Sequence, residues 1–290
     1  MKKVFLWGYW VQNFGDDLFL NIYLDKIKKY KVQTYILTRK KYKKYYKEMG
    51  FNILCMDSLL YKVLYKILIG LHRPELFYLL VGKKSWFIML GGSLFAENKG
   101  EIAENLQLKN LGYAVKRAQK SFVIGSNFGP YRSALFLKKY TELFSQVDDV
   151  CFRDRKSFNL FSKTLNNVRF APDIAFEGEW HQKSSLLKNK VVVSAIDLTT
   201  RAELVEYCKV YDQTLSNICI KHIKNGDQVV LVSLCKTEGD TRACSRIRKI
   251  VEDELGEVIE IVEYSTINEI LELIENAKKV YATRGATLMA

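Results

Sequence analysis

The chain alternates two apolar periods from end to end. Short β-branched or aromatic runs are each followed by a longer segment with helical spacing, the pattern of parallel sheets whose crossovers are helices. In the first half the strand candidates are residues 3–9, 32–37, 52–56, 86–90, 121–124, 150–152 and 168–170. In the second half they are 191–196, 228–234, 258–262 and 279–282, separated by helical segments near 202–224, 241–255 and 267–277. The polar stretch Glu177-Gly178-Glu179-Trp180-His181-Gln182-Lys183-Ser184-Ser185 divides the two series and has the composition of a linker. The expected fold is therefore α/β, with Rossmann-like domains at 1–178 and 188–290 and a cleft between them. The second series stops at Ala290, a few residues after its fourth strand, so the second domain is expected to be incomplete.

Charge is unevenly spread. Of the 45 basic and 32 acidic side chains, residues 1–180 hold 30 and 16, whereas residues 181–290 hold 15 and 16. Residues 26–47 contain ten Lys or Arg, no acid and five tyrosines. Such a surface attracts polyanions. An anionic membrane face is the expected partner and nucleic acid is not, the plain alternative being a solvated lysine-rich face. Next to this cluster Leu59, Leu60, Val63, Leu64, Ile67 and Leu68 form an apolar stripe, interrupted by Lys62 and Lys66 and ended by His72-Arg73-Pro74-Glu75. It reads either as a helix lying in a membrane interface or as an amphipathic crossover packed on the sheet. No run approaches the roughly 20 apolar residues of a membrane span, and Met1 to Trp7 is too short for a signal peptide. The expected location is cytoplasmic, at the inner face of the cell membrane if the stripe docks there.

Cys55, Cys151, Cys208, Cys219, Cys235 and Cys244 show no CxxC pair and read as buried thiols. His72, His181 and His222 are scattered. Neither a metal nor a resident cofactor is expected.

Chemistry concentrates at the ends of the strands. The first runs into Gly8-Tyr9-Trp10-Val11-Gln12-Asn13-Phe14-Gly15-Asp16-Asp17 just before a helix. Its spacing is not that of a dinucleotide loop, and two acids at a helix start repel phosphate while favouring the helix dipole. Asn13, Asp16 and Asp17 are better suited to bonding sugar hydroxyls. The fourth strand ends in Leu90-Gly91-Gly92-Ser93, the fifth in Gly125-Ser126-Asn127-Phe128-Gly129-Pro130, and the next two in Arg153-Asp154-Arg155-Lys156-Ser157 and Ala171-Pro172-Asp173. Successive glycine loops open the backbone along the sheet edge where α/β folds bind ligands. Plainer readings are turn geometry for Gly91 and Gly92, a structural ion pair for Arg153 and Asp154, and a cap for Asp173.

These stretches resemble the polysaccharide pyruvyltransferase family. The chain is similar to it in a Gly-x-x-x-x-Asn-x-Gly-Asp loop (Gly8, Asn13, Gly15, Asp16), a Gly-Gly-Ser loop (Gly91 to Ser93), a Gly-x-x-x-Gly-Pro turn (Gly125, Gly129, Pro130), an Arg-Asp-x-x-Ser motif (Arg153, Asp154, Ser157) and an Ala-Pro-Asp motif (Ala171 to Asp173). The order and spacing match over essentially the whole chain. The resemblance implies a GT-B-like pair of domains that moves a pyruvyl unit from phosphoenolpyruvate onto two sugar hydroxyls as a ketal. The acceptor would be a capsule or other exopolysaccharide, or its lipid-linked precursor. It also implies a late Ser-x-Arg-x-His motif with a histidine acid/base; here Arg284 stands at the arginine and Ala286 at the histidine. Guanidinium forks match the donor's carboxylate and phosphate, which makes Arg153 and Arg284 the donor-binding candidates. Asp16, Asp17 and Arg284 are the catalytic candidates, and Asn13, Gly15, Gly91, Gly92, Ser93 and Asp173 line the acceptor side. With Ala286 at the histidine position, slow or absent turnover is expected of this chain. The competing expectations are a GT-B glycosyltransferase using a nucleotide sugar and a non-catalytic partner in polysaccharide assembly.

Overall fold

The computed structural model describes residues 1–97, 100–178, 190–201 and 203–284. Most of the linker and the Gly285-Ala286 pair lie outside the described residues.

The chain divides into two compact units. The first comprises Met1–Val11 and Phe19–Glu177, the second Gln12–Leu18 and Gly178–Ala290. In chain order the first unit's sheet and its connections run β1 (Lys2–Trp7), α1 (Phe14–Ile27), β2 (Val32–Thr38), α2 (Lys43–Glu48), β3 (Asn52–Cys55), α3 (Leu59–Gly70), α4 (Leu76–Leu79), β4 (Ser85–Leu90), α5 (Glu101–Arg117), β5 (Lys120–Ser126), α6 (Ala134–Phe144), β6 (Asp149–Phe152), α7 (Arg155–Phe161) and β7 (Val168–Phe170). The order across the sheet is β3-β2-β1-β4-β5-β6-β7, and every pair is parallel. The second unit follows with β8 (Lys190–Ser194), α8 (Cys208–Lys224), β9 (Gln228–Ser233), α9 (Asp240–Leu255), β10 (Glu260–Glu263), α10 (Ile267–Glu275) and β11 (Ala277–Tyr281). Its parallel order is β10-β9-β8-β11. Both sheets are doubly wound, because the chain starts in the middle, at β1 and at β8, and later reverses direction. The carboxyl ends beside that reversal are where such folds hold ligands.

Two details depart from the sequence reading. The first strand stops at Trp7, since Gly8 must turn: a Cβ there would strike the Leu90 carbonyl oxygen and the Trp10 ring. The segment Gln12–Leu18, read as part of the first domain, clusters with the second unit, although α1 begins inside it.

The two cores differ in kind. The first is aromatic, with Phe95, Phe128, Tyr140, Phe144, Phe152 and Phe161 all buried. Phe128 meets Phe161 edge-on at 4.9 Å, and Phe95 meets Phe144 at 5.0 Å; such pairs add about 0.5–1.5 kcal/mol each beyond burial. They matter for the site because Phe95 and Phe128 belong to the loops after β4 and β5, which a backbone bridge between the two also joins. The second core is aliphatic, built from the β8 and β9 valines with Leu215, Ile220, Ile247 and the buried thiols Cys219 and Cys244.

Candidate active site

The loops after β4, β5, β6 and β7 meet at the carboxyl edge of the first sheet, around Arg153. Its amide donates to the Ser126 carbonyl at 3.0 Å, which continues the β5–β6 pairing and fixes the root of the side chain. The guanidinium donates from Nη1 to Asp173 Oδ2 at 2.7 Å and from Nη2 to Asn127 Oδ1 at 2.8 Å. Its face lies over Gly92, where a Cβ would stand 2.7 Å from both terminal nitrogens. Gly92 is therefore glycine because a guanidinium occupies the space of a side chain. Ser93 Oγ donates to the same Asn127 oxygen at 3.1 Å, and Ser126 Oγ donates to the Gly91 carbonyl at 2.6 Å.

The rest of the Arg-Asp-x-x-Ser motif locks this geometry. Asp154 Oδ1 accepts from the Ser157 amide at 2.8 Å and so caps α7, an interaction worth about 1 kcal/mol. Ser157 Oγ in turn accepts from the Phe128 amide at 2.8 Å, tying the helix start to the β5 loop. The other Asp154 oxygen is buried and has no partner among the described residues. Asp173 has its plain role as a cap and a second one besides: Oδ1 caps a helical turn through the Ala175 amide at 3.0 Å, and Oδ2 pairs with Arg153. Arg153 thus pairs with Asp173 and not with its neighbour Asp154. An arginine carries five N–H donors, and the bonds above use two of them, on a side chain one-quarter exposed. Arg153, Asp173, Gly91, Gly92 and Ser93 lie together, so the donor-binding candidate stands among residues assigned to the acceptor side. Asn127, which joins two of them, lies in a quoted loop but was not singled out, because an amide between glycines carries no pattern of its own.

The second unit holds the other candidates. Asn13 Oδ1 accepts from the Gly15 amide at 3.2 Å, opening α1 with Asp16 and Asp17 in its first turn. The Phe14 amide donates to the Leu234 carbonyl at 3.1 Å, and its ring meets Tyr264 edge-on at 5.6 Å. Tyr264 donates its hydroxyl to Asp17 Oδ2 at 2.9 Å, and Asp17 is fully buried. Asp17 is thus buried and bonded rather than open to a sugar hydroxyl; Asp16, half-buried, keeps contact with solvent.

Arg284 follows β11. Its Nε and Nη2 donate to the two oxygens of Asp240 at 2.8 and 2.7 Å, and Nη2 also reaches Glu238 at 2.9 Å. Burial alone would lower the Arg284 guanidinium, but the Asp240 and Glu238 bonds hold it above its ordinary value; burial pushes the Asp240 carboxyl up. The expectation of an open fork gripping the donor is therefore not what this geometry presents, since two carboxylates occupy the fork.

Two further arginines, more exposed than Arg284, belong to none of the sequence motifs. Arg242, with its side chain two-thirds exposed, and Arg246 both bind the buried Asp197, at 3.0 and 3.1 Å. Arg246 also pairs with Asp212 at 2.6 Å. The spacing of Arg242 and Arg246, one helical turn apart at the start of α9 behind Gly239-Asp240, was the available signal. Among the described residues no group of three His, Cys, Asp or Glu is arranged to hold a metal ion.

Two parallel, doubly wound units with glycine-turned loops at their carboxyl edges define an α/β fold of the Rossmann-like, GT-B kind. The profile of the polysaccharide pyruvyl transferase family matches residues 13–285, and the chain belongs to that family. Among solved structures it is similar to the UDP-GlcNAc 2-epimerase of Methanocaldococcus jannaschii (14% identity, TM-score 0.56, 99% of this chain and 80% of that one). It is also similar to S. aureus MnaA in its UDP co-structure (13%, TM-score 0.58, 99% and 75%). A third likeness is to Anabaena Alr3699/HepE in complex with UDP and glucose (11%, TM-score 0.52, 97% and 73%). At these identities the likeness shows the GT-B, Rossmann-like fold alone. Comparison with curated protein sequences returned no match.

Proposed function

We propose that the donor is phosphoenolpyruvate and that the acceptor is a sugar of a capsule or other surface polysaccharide, carried as a lipid-linked precursor at the inner face of the cell membrane. The observation that carries the reading is Arg153, aligned on Gly92 by Asp173 and Asn127 and one-quarter exposed. A guanidinium fixed in this way meets a carboxylate or phosphate with little loss of side-chain entropy, which favours a small dianion. In the reaction one sugar hydroxyl adds to C2 of the donor and C3 takes up a proton. The bond from C2 to the phosphate oxygen breaks, and the second hydroxyl closes the ketal. The two hydroxyl protons end on C3 and on the departing phosphate. Arg153 would hold the donor anion through its guanidinium.

Calorimetry separates this reading from the nucleotide-sugar alternative. Phosphoenolpyruvate should bind and Arg153→Ala should abolish that binding, whereas UDP and UDP-sugars should leave the thermal midpoint unmoved. Binding of UDP-sugars with no response to phosphoenolpyruvate would transfer the chain's chemistry to the glycosyltransferase class.

A further inference from the structure

The first unit leaves an apolar helix face uncovered. α3 starts at Ser58, whose Oγ accepts from the Tyr61 amide, and it buries Tyr61 against the unit. The opposite face carries Leu59, Leu60, Val63, Ile67 and Leu71, exposed by 80, 71, 46, 52 and 65%. At 3.6 residues per turn these five fall within about 120° of arc. Lys62 and Lys66 border the arc on one side, and His72 and Arg73 follow its end, all four exposed. A cavity of about 680 Å³ beside the stripe is lined by Arg39, Lys62 and Lys66 as well as by Leu59 and Val63. Arg39 leads directly into Lys40, Lys41, Lys43, Lys44 and Lys47. The two acids lining this cavity are engaged by the protein itself: Asp57 accepts from the Lys40 amide at 2.6 Å, and Glu75 from Asn110 at 2.9 Å, while Glu48 lies 3.9 Å from Lys44.

We propose that α3, with its bordering lysines and the basic residues from Arg39 to Lys47, seats the first unit on an anionic bilayer surface. The charge selects this occupant. A second copy would bring the same cations to the same place, while anionic headgroups neutralise them. The shape agrees with it: a convex stripe rimmed by long cations fits a plane, the apolar side chains entering the acyl boundary while the lysines reach back to phosphates. A twelve-residue helix is about 18 Å long, too short for a hydrocarbon core of about 30 Å. Among the described residues no helix is long and apolar enough to cross a membrane. α3 therefore lies along the surface. The purpose of such docking rests on the proposed lipid-linked acceptor, but the docking itself is measured with neither donor nor acceptor present, so the two readings fail separately.

The test is cosedimentation of the full chain with vesicles of phosphatidylcholine alone and of phosphatidylcholine with phosphatidylglycerol. Binding should require the anionic lipid and weaken at least about threefold between low and physiological salt. Leu60→Glu with Ile67→Glu should weaken it by about tenfold or more, and Lys62→Gln with Lys66→Gln by several-fold, each without moving the thermal midpoint. A dye on Ile67→Cys should shift to the blue on anionic vesicles only. Equal binding to both vesicles would overturn the proposal, as would vesicle binding indifferent to the glutamates. So would a stripe that drives self-association in sedimentation velocity with no lipid binding.

Discussion

Replacing Gly92 by alanine moves Arg153 without deleting it. The added Cβ would stand 2.7 Å from Nη1 and Nη2, so the guanidinium must retreat by about 0.7 Å to reach the 3.4 Å of ordinary contact. A retreat of that size takes bonds of 2.7 and 2.8 Å to Asp173 and Asn127 out of the useful range of about 2.7–3.2 Å. The backbone is not the obstacle, because the positive φ in this loop belongs to Gly91 and not to Gly92. The fold should bear the change, since the displaced group is the end of a flexible side chain one-quarter exposed; about 1–2 kcal/mol is the expected loss, below that of two intact charged hydrogen bonds. The site should bear it badly, since a misplacement near 1 Å costs on the order of 10²-fold in a positioned reaction. Urea unfolding reads the first quantity and phosphoenolpyruvate calorimetry the second. Gly82→Ala is the control, because a Cβ there meets nothing within 4 Å. Wild-type donor affinity in Gly92→Ala, with stability alone reduced, would make Arg153 a structural ion pair and refute the reasoning.

Three further outcomes follow from the second unit. Arg284→Ala strands the fully buried Asp240 and should cost about 3–5 kcal/mol in urea unfolding, part of which Asp240→Asn in the same chain should restore. Burial alone would raise the Asp197 carboxyl, but Thr199, Arg242 and Arg246 outweigh it and hold it below its ordinary value. Its contribution to stability is therefore full above the unfolded value of about 4 and is lost as pH falls through the lower folded value. Urea midpoints taken from pH 7 down to pH 3 should show this fall, and Asp197→Asn should flatten it. Ala286→His should raise pyruvyl transfer by about 10² to 10⁴, the usual contribution of a general acid or base; an unchanged rate would dissociate the late motif from Arg284 and Ala286.

What could be read in the sequence and what could not follow from the range of the forces. Strand positions were legible because short continuous runs of β-branched and aromatic residues report a strand buried on both faces, as in β4 and β9. The glycine loops were legible because turns and close approaches are local demands; Gly8 and Gly92 are small for reasons that their neighbours in space now supply. The partners were not legible. Nothing in the order of residues says that Arg153 turns from Asp154 to Asp173, twenty residues on, or that Asp17 is held by Tyr264, 247 residues away. Arg284 stands out in the sequence through the late motif that the family resemblance implies, whereas Glu238 and Asp240, which occupy its guanidinium, belong to no motif. The apolar stripe of α3 was visible as a period, but only solvent exposure separates a docking face from a packed one.

The most direct measurement is mass spectrometry of a lipid-linked glycan incubated with phosphoenolpyruvate and the chain carrying Ala286→His, with free phosphate followed in parallel. The account predicts a glycan heavier by one pyruvyl ketal for each phosphate released, and loss of both signals in Arg153→Ala. A glycan extended from a UDP-sugar instead, or pyruvylation undiminished by Arg153→Ala, would contradict it.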